Sequence, residues 1–290
     1  MKKYTIADLQ RDFPTDESCM DWLVDYLYPE GIRCPKCETV TKHHRDAGRT
    51  SYSCDRCGHH EHPMAGTIFQ DTRTPLRLWF YAIYQMASTR CGISAKQLER
   101  ELGVTYKTAW RMFKQIRSLL TDDGDDPFNG TLEADETYIG GHRRGTKRGR
   151  PGPDSHKAVV FGVVERRGRV MAKVVPNVRM ATLIPHVEAR VLPASTVYTD
   201  ELKSYNGLTR AGYQHSRVNH TAGVYVSGDV HTNTIEGFWS LLKRSLTGAH
   251  HAVSAKYLQT YLDEYAFRYN HRDDATPMFT TMLRQIEKAA

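Results

Sequence analysis

Two sets of residues in this 290-residue chain have the types and spacing to do chemistry. The first is a cysteine quartet, "CPKC" at Cys34–Cys37 and "CDRC" at Cys54–Cys57, with sixteen residues between the pairs. Two C-x2-C knuckles offer four soft ligands, the set that tetrahedral Zn²⁺ prefers, and the residues between them can form a hairpin. Four thiolates fill the shell, so the expected zinc is structural and leaves no open catalytic position. A segment this short has little core of its own, and metal binding must supply much of its folding free energy. His59, His60 and His62 lie close enough in sequence to replace one cysteine. Cys19 and Cys91 stand outside the pattern and read as buried or inert thiols.

The second set is acidic. Asp135 sits in "LEADETYIGG", a strand-like stretch whose alternation puts Glu133 on the same face and Glu136 on the other. Asp200 directly follows the short strand "TVYT". Glu236 lies in "HTNTIEGFWSLLKR", where Asn233, Glu236, Ser240 and Lys243 share one helical face and Phe238, Trp239, Leu241 and Leu242 supply apolar anchors. Two acids at strand ends and one on a packed helix can converge at one edge of a sheet. Such a cluster repels itself unless cations neutralise it, and hard Mg²⁺ suits carboxylate oxygens. Two ions roughly 4 Å apart activate the attacking oxygen and stabilise the leaving oxygen of a phosphodiester displacement. With 33 acids in the chain the alternatives stay open: Glu133, Glu136, Glu201 and Asp229 are weaker substitutes, and Glu236 could be a solvated surface charge.

The elements that must position these groups fall into zones. Residues 1–65 form a polar, Cys- and His-rich N-terminal segment. Residues 66–125 read as helices, closing in the acid-, Gly- and Pro-rich linker "TDDGDDPFNG". Residues 126–290 alternate: "TLEADETYI", "KAVVFGVVE" and "RVMAKVVP" as strands, the last two joined at "RRG", then a helix over "MATLIPHVEARVL", a strand at "STVYTD", and helices over 232–247 and 255–270.

"SAKQLERELGVTYKTAWRMFKQIR" reads as a helix-turn-helix, with a capping box at Ser94 and Gln97 and a stop at Gly103. In its second helix Ala109, Phe113, Ile116 and Leu120 form the apolar stripe. Lys107, Thr108, Arg111, Lys114 and Ser118 present a polar face suited to phosphates and base edges. The plainer alternative is a helical hairpin with a solvated basic side. "HRRGTKRGR" (142–150), with Arg143, Arg144, Lys147 and Arg148, reads as a phosphate-binding loop or a solvated charge run. The whole chain carries 40 Lys+Arg against 33 Asp+Glu, a net +7 that favours acidic partners, nucleic acid first. No apolar run follows the basic N-terminus, and none approaches a membrane span of about 20 residues. The expectation is a soluble, cytoplasmic, nucleoid-associated protein.

From about Cys34 to Arg272 the chain resembles bacterial insertion-sequence transposases of the DDE superfamily, in the group with an N-terminal zinc ribbon. The residues that carry the resemblance are "AGTIF", "SAKQLERELGVTYKTAWRM", "ADETYIGG", "VYTDELKSYNGL", "HTNTIEGFWSLLKR" and "YLDEYAFRYNHR". It implies an α/β fold: a ribonuclease-H-like mixed sheet with flanking helices, preceded by the ribbon and the helix-turn-helix. It places the three metal-site acids at Asp135, Asp200 and Glu236 and the phosphate-contacting base at Lys243. Relatives vary in the third acid, so Asn233 is a possible accessory ligand. Trp239 reads as core, and His220 and His231 as structural. The implied cofactors are two Mg²⁺ ions, with Mn²⁺ able to substitute, and structural Zn²⁺. The implied partners are double-stranded DNA, as terminal inverted repeats and as target, and a second or further copies of the chain. A DNA-binding regulator descended from an inactive transposase, or a related nuclease that cuts without joining, are the alternatives.

Overall fold

The structure, a computed structural model, describes residues 3–121, 126–140, 157–218, 226 and 228–287. The chain packs as two compact units, residues 1–119 with 274–290, and residues 120–273. The ribbon and the helical segment thus belong to one unit, and the C-terminal segment from Asp274 packs with them instead of with the preceding strands and helices.

In the first unit, α1 (Ile6–Asp12) and α2 (Asp16–Leu27) each begin on a capping box, Thr5 with Asp8 and Thr15 with Ser18. Two short antiparallel sheets follow. β1 (Arg33–Cys34) pairs with β2 (Thr39–Val40), and β3 (His43–Arg45), β4 (Tyr52–Cys54) and β5 (His60–Glu61) form a three-stranded sheet. α3 (Leu76–Ser88) buries Trp79, Phe80, Ile83 and Met86. α4 (Ala95–Leu102) ends at Gly103 in the left-handed region (φ 64°), which turns the chain into α5 (Tyr106–Ser118).

The second unit is built on one five-stranded mixed sheet. β6 (Thr131–Ile139), β7 (Ala158–Glu165) and β8 (Val170–Val175) make an antiparallel meander. After α6 (Met180–Glu188), β9 (Thr196–Thr199) lies parallel to β6. A 3₁₀ turn (Lys203–Asn206) and α7 (Gly207–Arg210) lead to β10 (Gln214–Arg217), parallel to β9. The spatial order is β10-β9-β6-β7-β8. α8 (Asn233–Ser245), which runs on into a π-helical turn (Leu246–His250), and α9 (Ala255–Asn270) follow. α10 (Met278–Leu283) belongs to the first unit.

Strand alternation divides the sheet into two chemically different faces. Leu132 and Ala134 of β6 join Phe161, Val163, Val197, Leu183 and Val187 in an apolar cluster on the α6 side. The intervening residues of β6, Glu133 and Asp135, make their contacts with α8. At the far edge, α9 supplies what a further strand would. Gln259 accepts from Val174 N and donates to Ala172 O, and Asn270 does the same with Val170 N and O. Those bonds satisfy an edge that would otherwise expose unpaired backbone groups. No helix of the described residues is long and apolar enough to cross a membrane.

Candidate metal centres and active site

The cysteine centre is made locally. Each knuckle closes with an amide four residues on: Glu38 N donates to Cys34 O and Gly58 N to Cys54 O, both at 2.9 Å. Glu38 (φ 55°) and Gly58 (φ 67°) take the left-handed conformation these turns need. Ligand atoms of Cys34, Cys37, Cys54 and Cys57 all lie within 4.8 Å of one another, with Cys34–Cys57 at 3.6 Å and Cys37–Cys54 at 3.9 Å. Tetrahedral zinc with bonds of about 2.3 Å sets its sulfurs about 3.8 Å apart, so the quartet fits the ion. Thr41 Oγ1, 3.2 Å from Cys54 Sγ, lowers that thiol's pKa and so favours the thiolate a metal requires. The three nearby histidines stay outside the quartet, and His60 instead meets Asp46 at 2.9 Å. Of the remaining cysteines, Cys19 is buried while Cys91 is exposed.

The acidic centre is assembled from distant segments. Asp135 is contributed by the middle of β6, and Asp200 by the residue after β9, which runs parallel beside it. Carboxylate oxygens of Asp135, Glu136 and Asp200 gather within 4.8 Å of one another. Burial first, then the charges of Glu136 and Asp200, push the Asp135 carboxyl up to about 8. That is the self-repulsion expected of clustered acids, and a divalent cation relieves it. The oxygen-only donor set therefore fits a hard cation.

Each carboxylate is aimed by a partner. Trp239 Nε1 of α8 donates to Asp135 Oδ2 at 3.0 Å, Leu202 N donates to Asp200 Oδ1 at 3.0 Å, and buried Tyr205 donates to Glu136 Oε2 at 3.0 Å. Gly162, opposite Asp135 in the β6–β7 register, makes the tryptophan contact possible. A Cβ there would sit 2.5 Å from the Trp239 ring and 3.2 Å from Ile235. Glu236 occupies the first turn of α8, where Thr232 Oγ1 donates to its Oε1 at 2.8 Å, and it does not join the three clustered acids. Lys243 is near enough to Asp135 for that carboxylate to raise its pKa against the larger lowering by desolvation.

With the geometry in place, the comparisons with known proteins are specific. The transposase zinc-ribbon domain matches residues 14–60, and the ISXO2-like transposase domain matches residues 127–270. A transposase-like protein of Haemophilus influenzae is 32% identical over 122 residues, 42% of this chain and 96% of that protein. The chain belongs to this family of insertion-sequence transposases. A protein of transposable element ISH50 from Halobacterium salinarum is 29% identical over 278 residues, spanning 89% of this chain and 92% of its own. Among solved structures, the Mos1 strand transfer complex aligns over 71% of this chain and 75% of that one. At 12% identity and a TM-score of 0.28, that likeness is too loose to inform the fold.

In this family member the remaining sequence-selected residues fall as follows. Lys107, Arg111 and Lys114 are exposed on α5, and Thr108 is half-buried. Arg111 also donates to Gln70 O at 2.9 Å and to Gln115 Oε1 at 3.0 Å. Ser94 caps α4 as expected, but Gln97 turns to Glu101 instead of closing the box. Arg143, Arg144, Lys147, Arg148 and His220 lie outside the described residues. Asn233 is the exposed first residue of α8, and Glu201 and Asp229 are exposed in turns.

Sequence reasoning ranked Glu136 low, because alternation points it to the opposite face. The β6–β9 pairing ends at Ala134 and Thr199, and just beyond it both neighbouring carboxylates reach Asp200. Trp239 reads as core from sequence; it is buried and also holds Asp135, a contact across 104 residues whose only trace in sequence is that a buried indole N–H needs an acceptor.

Proposed function

We propose that the chain is a DNA transposase that binds the terminal inverted repeats of an insertion sequence, hydrolyses a phosphodiester at each end and transfers the freed 3′-ended strands to target DNA. The single observation that carries this reading is the gathered Asp135–Glu136–Asp200 carboxylates in a member of this family. The sheet supports a ribonuclease-H-like classification: three antiparallel strands, then two parallel to the first, in the order β10-β9-β6-β7-β8.

Asp135 and Asp200 would hold Mg²⁺, or Mn²⁺ in its place, and Glu236 is the third ligand, with Asn233 an accessory. When bound, two such ions activate water or a 3′-hydroxyl for attack and stabilise the departing oxygen. Trp239 orients Asp135, and the Leu202 amide and Tyr205 orient Asp200 and Glu136. Lys243, on the Glu236 side of α8, contacts the phosphate beside the scissile bond. The carboxylates hold cations and form no covalent link to DNA.

α4 and α5 act as a helix-turn-helix, with Lys107, Thr108, Arg111 and Lys114 toward the duplex. The basic loop that carries Arg143, Arg144, Lys147 and Arg148 adds phosphate contacts. Joining two ends to one target calls for at least two copies of the chain. The reaction places it with the nucleoid.

The test is strand transfer from a pre-cleaved end with Mg²⁺, comparing wild type with Asp135→Ala, Asp200→Ala and Glu236→Gln. Each variant should lose joining by about a thousandfold or more while retaining end binding. Cleavage by the wild type without any joining would replace the transposase reading with that of a nuclease.

A further inference from the structure

Helix α8 begins without a local cap. The side chain of its N-cap residue, Thr232, accepts no capping bond, and its hydroxyl donates to Glu236. The orphan amides are met instead from the sheet. Glu133, fully buried on β6, accepts from Thr234 N at 2.7 Å and Ile235 N at 3.0 Å through Oε2. Its Oε1 accepts from Thr234 Oγ1 and from Arg166 Nε, both at 2.8 Å, and His231 Nδ1 lies 3.2 Å away. A carboxylate at a helix N-terminus is favoured by the helix dipole as well as by these bonds. A buried carboxylate stripped of these donors would be strongly destabilising, so the arrangement holds as a unit.

This knot lies one side-chain layer below the acidic centre. Glu133 and Asp135 share a face of β6, two residues apart, and Tyr198 of β9 lies two residues before Asp200, which directly follows that strand. Glu133 and Tyr198 are partners in the parallel register, and the Arg166 guanidinium stacks 4.8 Å over the Tyr198 ring. Arg166 also donates to His231 O at 3.1 Å, the residue before the N-cap of α8. One carboxylate and one guanidinium thus tie together the three segments that carry Asp135, Asp200 and Glu236.

We propose that Glu133 is a positioning residue: by anchoring the first turn of α8 to β6, it sets where Glu236 stands relative to Asp135. It acts through the helix and contacts neither DNA nor metal. The inference rests on the reading of Glu236 as a metal ligand. It explains why a second acid on the Asp135 face is fully buried and saturated with donors while Asp135 itself faces the repelling charges of Glu136 and Asp200.

The test uses the full-length, zinc-loaded chain and measures Mn²⁺ affinity by calorimetry, with hydrogen exchange at the Thr234 and Ile235 amides. Glu133→Gln should bind Mn²⁺ about tenfold more weakly and exchange those two amides faster, in the range seen when partners of metal ligands are removed. Glu236→Gln should also bind more weakly, and adding Glu133→Gln to it should cause little further loss, because both act through one ligand. Thr234→Val, which removes one donor and leaves the buried charge paired with Arg166, keeps the test informative if Glu133→Gln does not fold; it should weaken Mn²⁺ roughly threefold. Wild-type affinity in the folded Glu133→Gln or Thr234→Val proteins, or an undiminished loss in the Glu236→Gln background, overturns the proposal. Wild-type Mn²⁺ affinity in Glu236→Gln alone would instead remove Glu236 from the metal site, and the inference with it.

Discussion

The two metal centres of this chain are built in opposite ways. The cysteine quartet comes from two knuckles within one short segment, each closed by its own backbone turn and a left-handed residue. The acidic centre takes its carboxylates from β6 and the end of β9, with the Trp239 donor from α8, and relies on strand register and helix packing to bring these distant segments together. A local site can be read from ligand spacing, because the spacing is the geometry. A non-local one also depends on residues outside the clustered acids: Gly162 making room, Trp239 reaching across, Glu133 holding the start of the helix.

That contrast can be broken from either side. Cys34→Ser should have the largest effect on its own region. Structural zinc contributes on the order of 10 kcal/mol to such small folds, so the ribbon should lose its metal and unfold, while Mn²⁺ binding at the acidic centre persists. Zinc content measured by atomic absorption checks this, and a full complement of zinc in the variant would refute the quartet. Gly162→Ala is the complementary break. The added methyl collides with Trp239 and Ile235, which should cost about 1–3 kcal/mol and displace α8, seen as a lower Tm and weaker Mn²⁺ binding with zinc unchanged.

Smaller effects sharpen the comparison. Replacing Lys107 and Arg111 together should weaken end binding across all sequences. It should also reduce the slope of log K against log salt by about 2, with neither metal centre altered. An unchanged slope would remove them from the phosphate contacts. His215 tests the support beneath Asp200. Its Nε2 lies 2.9 Å from buried Thr199 Oγ1, whose hydroxyl also donates to Asp200 O, and burial, then Arg217, push the imidazole down to about 4. A histidine held neutral stabilises the fold fully above its unfolded value near 6.5, and that contribution fades as pH falls toward 4. Tm should drop over this window in the wild type, and the drop should be shallower in His215→Gln.

How much of this was legible followed the same division. β6 over Thr131–Ile139 and α9 over Ala255–Asn270 match the stretches read from sequence, and both are extensively buried. β10, "QHSR", escaped notice: it is a mostly exposed edge strand whose identity lies in its partner β9, not in any alternation of its own. α1 and α2 were missed although their capping boxes, Thr5 with Asp8 and Thr15 with Ser18, stood in plain sequence. Asp135 and Asp200 are legible as acids in or beside strands, and their carboxylates do meet, although Asp135 lies mid-strand and only Asp200 sits at a strand end. Glu133 looked like a substitute for Asp135 because a strand shows which face an acid takes, not what waits there. Glu136 looked misplaced for the converse reason.

The most direct test of the acidic centre is a Mn²⁺ titration of the zinc-loaded chain by calorimetry, wild type beside Asp135→Asn. The wild type should bind Mn²⁺, and Asp135→Asn, which keeps the shape but removes the charge at the middle of the cluster, should show no measurable binding at the same concentrations. Equal binding by the two proteins would contradict the account.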